Sequence, residues 1–164
     1  MDLKNIIDTL GLQPHPEGGH FAEIWRADEG IAAADLPDRY GGDRSFGTAI
    51  YYLLGPHDVS AMHRITSDEI FHFYLGDPVE QLHLMPDGSH AVVEIGPDLA
   101  AGQRPQVIVP RGVWQGARVK PGGRFALMGT TVAPGFDFAD FEMADAKNLS
   151  ARWPDAAEMI AALS

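Results

Sequence analysis

The sequence predicts an all-β protein: an antiparallel sandwich or barrel preceded by a short helix and followed by a helical tail. Two observations carry this reading. Beyond Ser45 the chain falls into short runs rich in aromatic and β-branched residues, the types that suit a pleated, half-buried surface. Gly, Pro and Asp clusters such as Gly55-Pro56-His57-Asp58 and Pro86-Asp87-Gly88-Ser89 separate the runs about every ten residues, a spacing of strands and turns seen in sandwiches and barrels.

The elements follow in order. Leu3, Ile6, Ile7 and Leu10 recur at helical spacing, with Asp2 placed to cap the first turn and Gly11 to close the last. Pro14, Pro16, Gly18 and Gly19 then exclude regular structure. Residues 21–26 read as a strand, and residues 27–44, rich in Ala, Asp and Gly without periodicity, as a long surface loop. Further strands are expected near 46–54, 59–65, 69–75, 79–85, 90–95, 105–110, 113–119 and 124–132. The tail, 144–164, returns to Ala, Leu and Met, with Ser150 and Pro154 as helix-start signals. Ala157, Ile160, Ala161 and Leu163 form its expected buried side. The whole, 1–164, is expected to be one domain with the β core at about 20–143.

At 164 residues such a chain buries roughly two-thirds of the surface it exposes when unfolded. With 45% hydrophobic and 21% charged residues it reads as globular. A net charge of −11 repels phosphate backbones, so nucleic acid is not an expected partner. Without cysteine, any metal would have to use His, carboxylate, amide or water. The first residues lack a basic segment followed by an apolar run, and no stretch approaches the ~20 apolar residues of a membrane span. Cytoplasmic residence and no membrane contact are therefore expected.

The chemistry concentrates between His63 and Gly76. Side chains alternate across a strand, so His63 and Ile65 share one face, and Glu69, Phe71, Phe73 and Leu75 share a face of the next strand. A tight bend at Thr66-Ser67-Asp68 would lay the two strands side by side. His63 is a candidate proton acceptor near neutral pH, assisted by Glu69. A carboxylate flanked by Ile70 and Phe71 is rarely buried unless paired or functional. Phe71 and Phe73 read first as core, although a barrel interior also allows them to stack on a ligand. His72 and Tyr74 belong to the outer face. Gln115 either reaches the pocket or satisfies backbone at a strand end, and Trp114 alternates against it. His15, Glu17 and His20 either form the Pro/Gly turn or line the pocket mouth. Arg26 either grips an anionic ligand group or, the plainer reading, makes a surface ion pair. His57, His83 and His90 fall in or near hairpin turns and are expected to be solvated.

His63, Glu69 and Gly76 match the first motif of the cupins, in which a His-x-His pair is followed by Glu and then by Gly. Pro110-Arg111-Gly112-Val113-Trp114-Gln115 resembles the second, Pro-x-Gly-x-x-His. Ile65 and Gln115 stand where two of the family's histidines would be. Together with Pro14-His15-Pro16-Glu17-Gly18-Gly19, residues 102–110 and Val132-Ala133-Pro134-Gly135-Phe136-Asp137, the chain resembles an RmlC-like, domain-of-unknown-function branch of the cupin superfamily over nearly its whole length.

The resemblance implies a cupin-type double-stranded β-helix, a jelly-roll barrel, that binds a small molecule such as a sugar or keto-acid derivative in its interior. It also implies a homodimer. Three activities stay open. One is a metal-independent isomerase or epimerase using His63 and Glu69, by analogy with the dTDP-4-dehydrorhamnose epimerases. Another is a metal-dependent enzyme with a divalent ion weakly held by His63, Glu69 and Gln115, a set that lacks the usual three strong ligands. The third is a non-catalytic binding module. Phe71, Phe73, Gln115, Glu17 and Arg26 are the expected substrate contacts.

Overall fold

The computed structural model describes residues 2–164; Met1, where the expected domain begins, lies outside them. Helix α1 spans Leu3–Leu10. The Asp2 carboxylate accepts the Asn5 N–H at 2.8 Å, and Gly11, at φ 62°, closes the helix by donating to the Ile7 carbonyl. The strands that follow are β1 (Gln13–Pro14), β2 (His20–Arg26), β3 (Gly30–Ile31), β4 (Arg44–Ser45), β5 (Thr48–Leu54), β6 (Val59–Ile65), β7 (Asp68–Gly76), β8 (Val79–Leu84), β9 (His90–Ile95), β10 (Gln106–Val109), β11 (Trp114–Val119), β12 (Ala126–Ala133) and β13 (Phe141–Met143). Helices α2 (Ala146–Arg152) and α3 (Ala157–Ala162) end the chain.

One sheet has the order β1-β2-β5-β12-β7-β10 and the other β13-β6-β11-β8-β9, with every pairing antiparallel. From β5 to β12 the chain passes back and forth between the two sheets, staying in one of them only for the β8–β9 hairpin, the double-sheet arrangement of an eight-stranded jelly roll. Strand alternation then creates three apolar layers. Tyr52, Leu54, Phe71, Val79, Ile95, Val119, Ala126 and Met128 meet between the sheets. Leu53 and Leu127 point outward from the six-stranded sheet and are covered by Ile6 of α1. Met62, Leu82, Leu84 and Trp114 point outward from the five-stranded sheet and are covered by Leu149, Trp153, Ile160 and Leu163.

Four local expectations are corrected. Residues 27–44 are not structureless: β3 and β4 pair there, with a short 3-10 turn at Ala33–Asp35 between them. In the tail, Ser150 lies inside α2, whose cap is Asp145, accepting from the N–H groups of Lys147 and Asn148. Ala161 is exposed and Ala156 buried, because a 3-10 turn at Pro154–Ala156 shifts the helical phase. The bend after Ile65 does not make a hairpin. It carries the chain from one sheet to the other, so β6 and β7 face each other across the interior.

Candidate functional site

The space between the sheets is filled at one end and open at the other. Register explains where the change falls. On β5, Leu54 sits opposite Ala126 and Tyr52 opposite Met128; two pairs further along, Thr48 sits opposite Val132, which pairs with Glu69 on its other side. Around Thr48, Thr130, Val132 and Glu69 the inward side chains are polar or short, and a cavity of about 260 Å³ remains. From the opposite sheet His63 and Ile65 line it, and His15, Glu17 and Phe21 line it from the first hairpin.

Glu17 reaches this interior because its turn is pinned against β6. Pro14 pairs with His20, the Gly18 N–H donates to the His15 carbonyl, and the Ala61 N–H donates to the Glu17 carbonyl at 2.9 Å. Gly18, at φ 112°, runs so near β6 that a Cβ would lie 2.1 Å from the Val59 carbonyl oxygen, a position open only to glycine. The Tyr52 hydroxyl donates to the Gly18 carbonyl at 2.9 Å. Inside, Glu17 Oε1 accepts the Ser60 hydroxyl at 2.7 Å, and Oε2 lies 3.2 Å from His63 Nε2.

Ser60 and His63 both face inward although three residues apart. A β-bulge does this, since Gln115 pairs with His63 while Ala117 pairs with Ser60. The His63 ring is fixed at both nitrogens. Nδ1 is 2.7 Å from the Ala61 carbonyl oxygen, which can only accept, so Nδ1 carries a hydrogen. Nε2 faces Glu17 Oε2 at 3.2 Å, an ion-pair contact whenever the ring is protonated. His15 accepts the Glu17 N–H on Nδ1 at 3.2 Å and packs edge-on to Phe21, ring centres 4.6 Å apart. Burial pushes its pKa below the usual histidine value, with the Glu17 charge opposing and the His63 charge adding to the shift.

Glu69 faces the cavity from β7, 8% exposed. Burial raises its pKa, against the opposing influence of His63 and of hydrogen bonds from Gln115 and Thr130. Behind it runs a buried side-chain chain: Gln115 Nε2 donates to Glu69 Oε2 at 2.7 Å, Gln81 Nε2 to Gln115 Oε1 at 2.9 Å, and His83 Nε2 to Gln81 Oε1 at 2.9 Å. A carboxylate accepts only, so its charge sets the direction of every amide in the chain. Burial lowers the His83 pKa to about 4, leaving the ring neutral.

At the mouth stand Phe136, Asp137, Phe138 and Phe141 with Glu23 and Arg26. The three phenylalanine rings lie 5.0 to 6.3 Å apart and nearly perpendicular. A buried ion pair anchors this lip, with Arg44 Nε and Nη2 donating to the Asp140 carboxylate at 2.7 and 2.6 Å. The segment expected to be a plain loop thus ends on the residue that holds the mouth.

His63, Glu69, Phe71 and Glu17 come together around the cavity, and Arg26 stands at its rim. Arg26 is bound through Nε and Nη2 to Glu23, at 2.9 and 2.7 Å, and through Nη2 to the Phe136 carbonyl, so the ion-pair reading describes its contacts. Phe73 packs into the filled core instead of lining the cavity. Gln115 points inward while Trp114 packs on α2 and α3, but Gln115 lies behind Glu69 rather than on the wall. His83, expected in solvent, is 3% exposed, because it takes an inward position of β8 and its turn begins beyond it. Sequence reasoning did not single out Tyr52, Ser60, Gln81, Thr130 or the Phe136, Phe138 and Phe141 lip. Tyr52 and Thr130 were visible as inward positions by strand alternation; Ser60 was not, since the bulge breaks that alternation.

These residues do not fit a metal. Both ends of the Gln115 amide are already hydrogen-bonded, Ile65 offers no donor, and His63 Nε2 is turned to Glu17. Among the described residues no group of three or more His, Asp or Glu side chains is arranged to hold an ion. Nor is any helix among them long and apolar enough to cross a membrane.

An uncharacterized protein of Saccharomyces cerevisiae is 29% identical over 146 residues, 84% of this chain and 73% of its own. A hypothetical protein from Leishmania major superposes with a TM-score of 0.90 at 27% identity, covering 100% of this chain and 99% of that one. A protein from Shewanella oneidensis, solved by X-ray crystallography, does so at 0.87 and 34% identity, covering 100% and 98%. Oxalate decarboxylase from Bacillus subtilis shares the fold alone: TM-score 0.55, 13% identity, 92% of this chain but 36% of that one. The sequence profile described as "Cupin superfamily (DUF985)" matches residues 4–144, and with the jelly roll and both motif positions in place the chain belongs to that family.

Proposed function

We propose that the cavity binds a small carbonyl compound and that the protein moves a proton on it, as a metal-independent isomerase or epimerase does. The contact that supports this most is His63 Nε2 to Glu17 Oε2 at 3.2 Å, with Nδ1 committed to the Ala61 carbonyl. An imidazole held at Nδ1, with a carboxylate beside Nε2, can take a proton from carbon on Nε2 and return it. Glu69, held from behind by Gln115 on the cavity wall, stands as the second acid–base group. The partner of His63 in this reading is Glu17.

Incubation in deuterated water with a panel of keto-sugars, keto-acids and amino ketones tests it. One class should lose its proton signal next to the carbonyl, and His63→Gln should slow that exchange by about 100-fold or more. If wild-type protein exchanges no member of the panel, the catalytic reading fails and a binding module remains.

The homodimer that the family resemblance implies is proposed to use the outer face of the six-stranded sheet. Ile24 and Tyr74, 49% and 48% exposed, border an apolar groove there with Leu10, Tyr51 and Leu127. A monomer mass in light scattering at micromolar concentration would remove this reading.

A further inference from the structure

The charges of the cavity bear on what it can take. Glu17 Oε2 already faces His63 Nε2 at 3.2 Å, so this carboxylate has a histidine partner. Burial lowers the His15 pKa below the usual histidine value, which favours the uncharged ring. Arg26, the one Lys or Arg lining the cavity among the described residues, is already bound to Glu23 through two nitrogens. Glu69 is left over. It is supported by the neutral Gln115 amide, and the histidine that acts on it is engaged by Glu17. At the rim, Asp137 adds a further acidic group. An anionic ligand would meet no free cation here and would be repelled, the more so by a chain of net charge −11.

The apolar surroundings complement a different ligand. Phe21 and Phe71 form walls, and the lip of Phe136, Phe138 and Phe141 surrounds the entrance. Aromatic rings attract cations while covering apolar surface, and a buried carboxylate is most stable when a cation meets it in the same dry space. We propose that the ligand carries a protonated nitrogen: a small organic ammonium compound whose charge sits against Glu69 and whose apolar body lies against Phe21, Phe71 and the phenylalanine lip. This rests on the reading of the cavity as a small-molecule site. It narrows the substrate class to amine-bearing carbonyl compounds and excludes keto-acids.

Calorimetric titration with three probes of one shape tests it near neutral pH: phenethylamine, phenethyl alcohol and phenylacetate. The amine should bind about tenfold tighter than the alcohol, the size of one charge-assisted hydrogen bond, and phenylacetate should bind more weakly than the alcohol. In Glu69→Gln the amine should lose its advantage over the alcohol. The ranking on wild-type protein is decisive even if that variant does not fold. Phenylacetate binding as tightly as the amine, or an amine preference that survives Glu69→Gln, overturns the proposal while leaving a ligand cavity in place. Failure of all three to bind removes the cavity reading itself, and the proposal with it.

Discussion

The two ends of the intersheet space share strands β5 and β12 but have opposite contents. At the filled end, inward positions of β5, β8, β11 and β12 carry Leu54, Val79, Val119 and Ala126, and each side chain is 5% exposed or less. At the cavity end, β5, β6, β7 and β12 carry Thr48, His63, Glu69 and Thr130. The filled end is held by contact among apolar atoms, which is non-directional and tolerant of exchange. The cavity end has less of that contact and is held in addition by directed interactions: Ser60 and His63 on Glu17, Gln115 on Glu69, Arg44 on Asp140. An open pocket inside a jelly roll therefore relies on polar support arriving from loops and from the layer behind its wall.

Substitutions that remove one kind of support or the other test this contrast. Arg44→Ala leaves the buried Asp140 carboxylate uncompensated and should destabilise the protein by about 3 to 5 kcal/mol in urea titration. A loss of less than about 1 kcal/mol, the range of a surface pair, would mean that the mouth is held some other way. Ile95→Ala at the filled end, fully buried in the wild type, should cost about 2 to 5 kcal/mol. Ile50→Ala, on the cavity wall and half-buried, should cost less because the space beside it is already open; equal losses would erase the distinction between the ends.

The layer between the two ends responds to pH. The folded protein keeps His83 neutral down to about pH 4, whereas the unfolded chain protonates it near 6.5. Between those values the unfolded state binds more protons, so this contribution to stability falls as pH is lowered, by about 3 kcal/mol over the full window. Glu69, its folded pKa raised, works the other way. Its contribution is present at low pH and is lost as pH rises through that raised value. Comparing wild type with His83→Gln by chemical denaturation at several pH values isolates the first effect. Parallel profiles would show that His83 is not held neutral. The smallest effect is expected of Ser60→Ala, which takes one donor from Glu17 and should cost about 1 kcal/mol.

Strand alternation made the pairing of Glu69 with Phe71 on one inward face legible, and likewise the opposition of Trp114 to Gln115. The cap at Asp2 and the stop at Gly11 were legible because helix ends obey local rules. The partnership of His63 with Glu17 was not. It spans from a turn to a strand, and it depends on a bulge that local sequence does not mark and on a glycine squeezed against Val59. His83 misled because proximity to a turn suggested solvent, whereas its inward position on β8 decided its burial.

By itself the sequence determined an antiparallel sandwich or barrel, since alternation and turn chemistry act over a few residues and recur along the whole chain; the jelly roll followed from its resemblance to the cupins. It also supplied most of the residues that meet in the cavity. Only the tertiary structure decided how they meet. It turned β6 and β7 to face each other across the interior, gave Glu17 rather than Glu69 to His63, and placed Gln115 behind the wall. Those outcomes depend on register, on one bulge and on which buried donors find which acceptors, and these are settled among groups far apart in the chain.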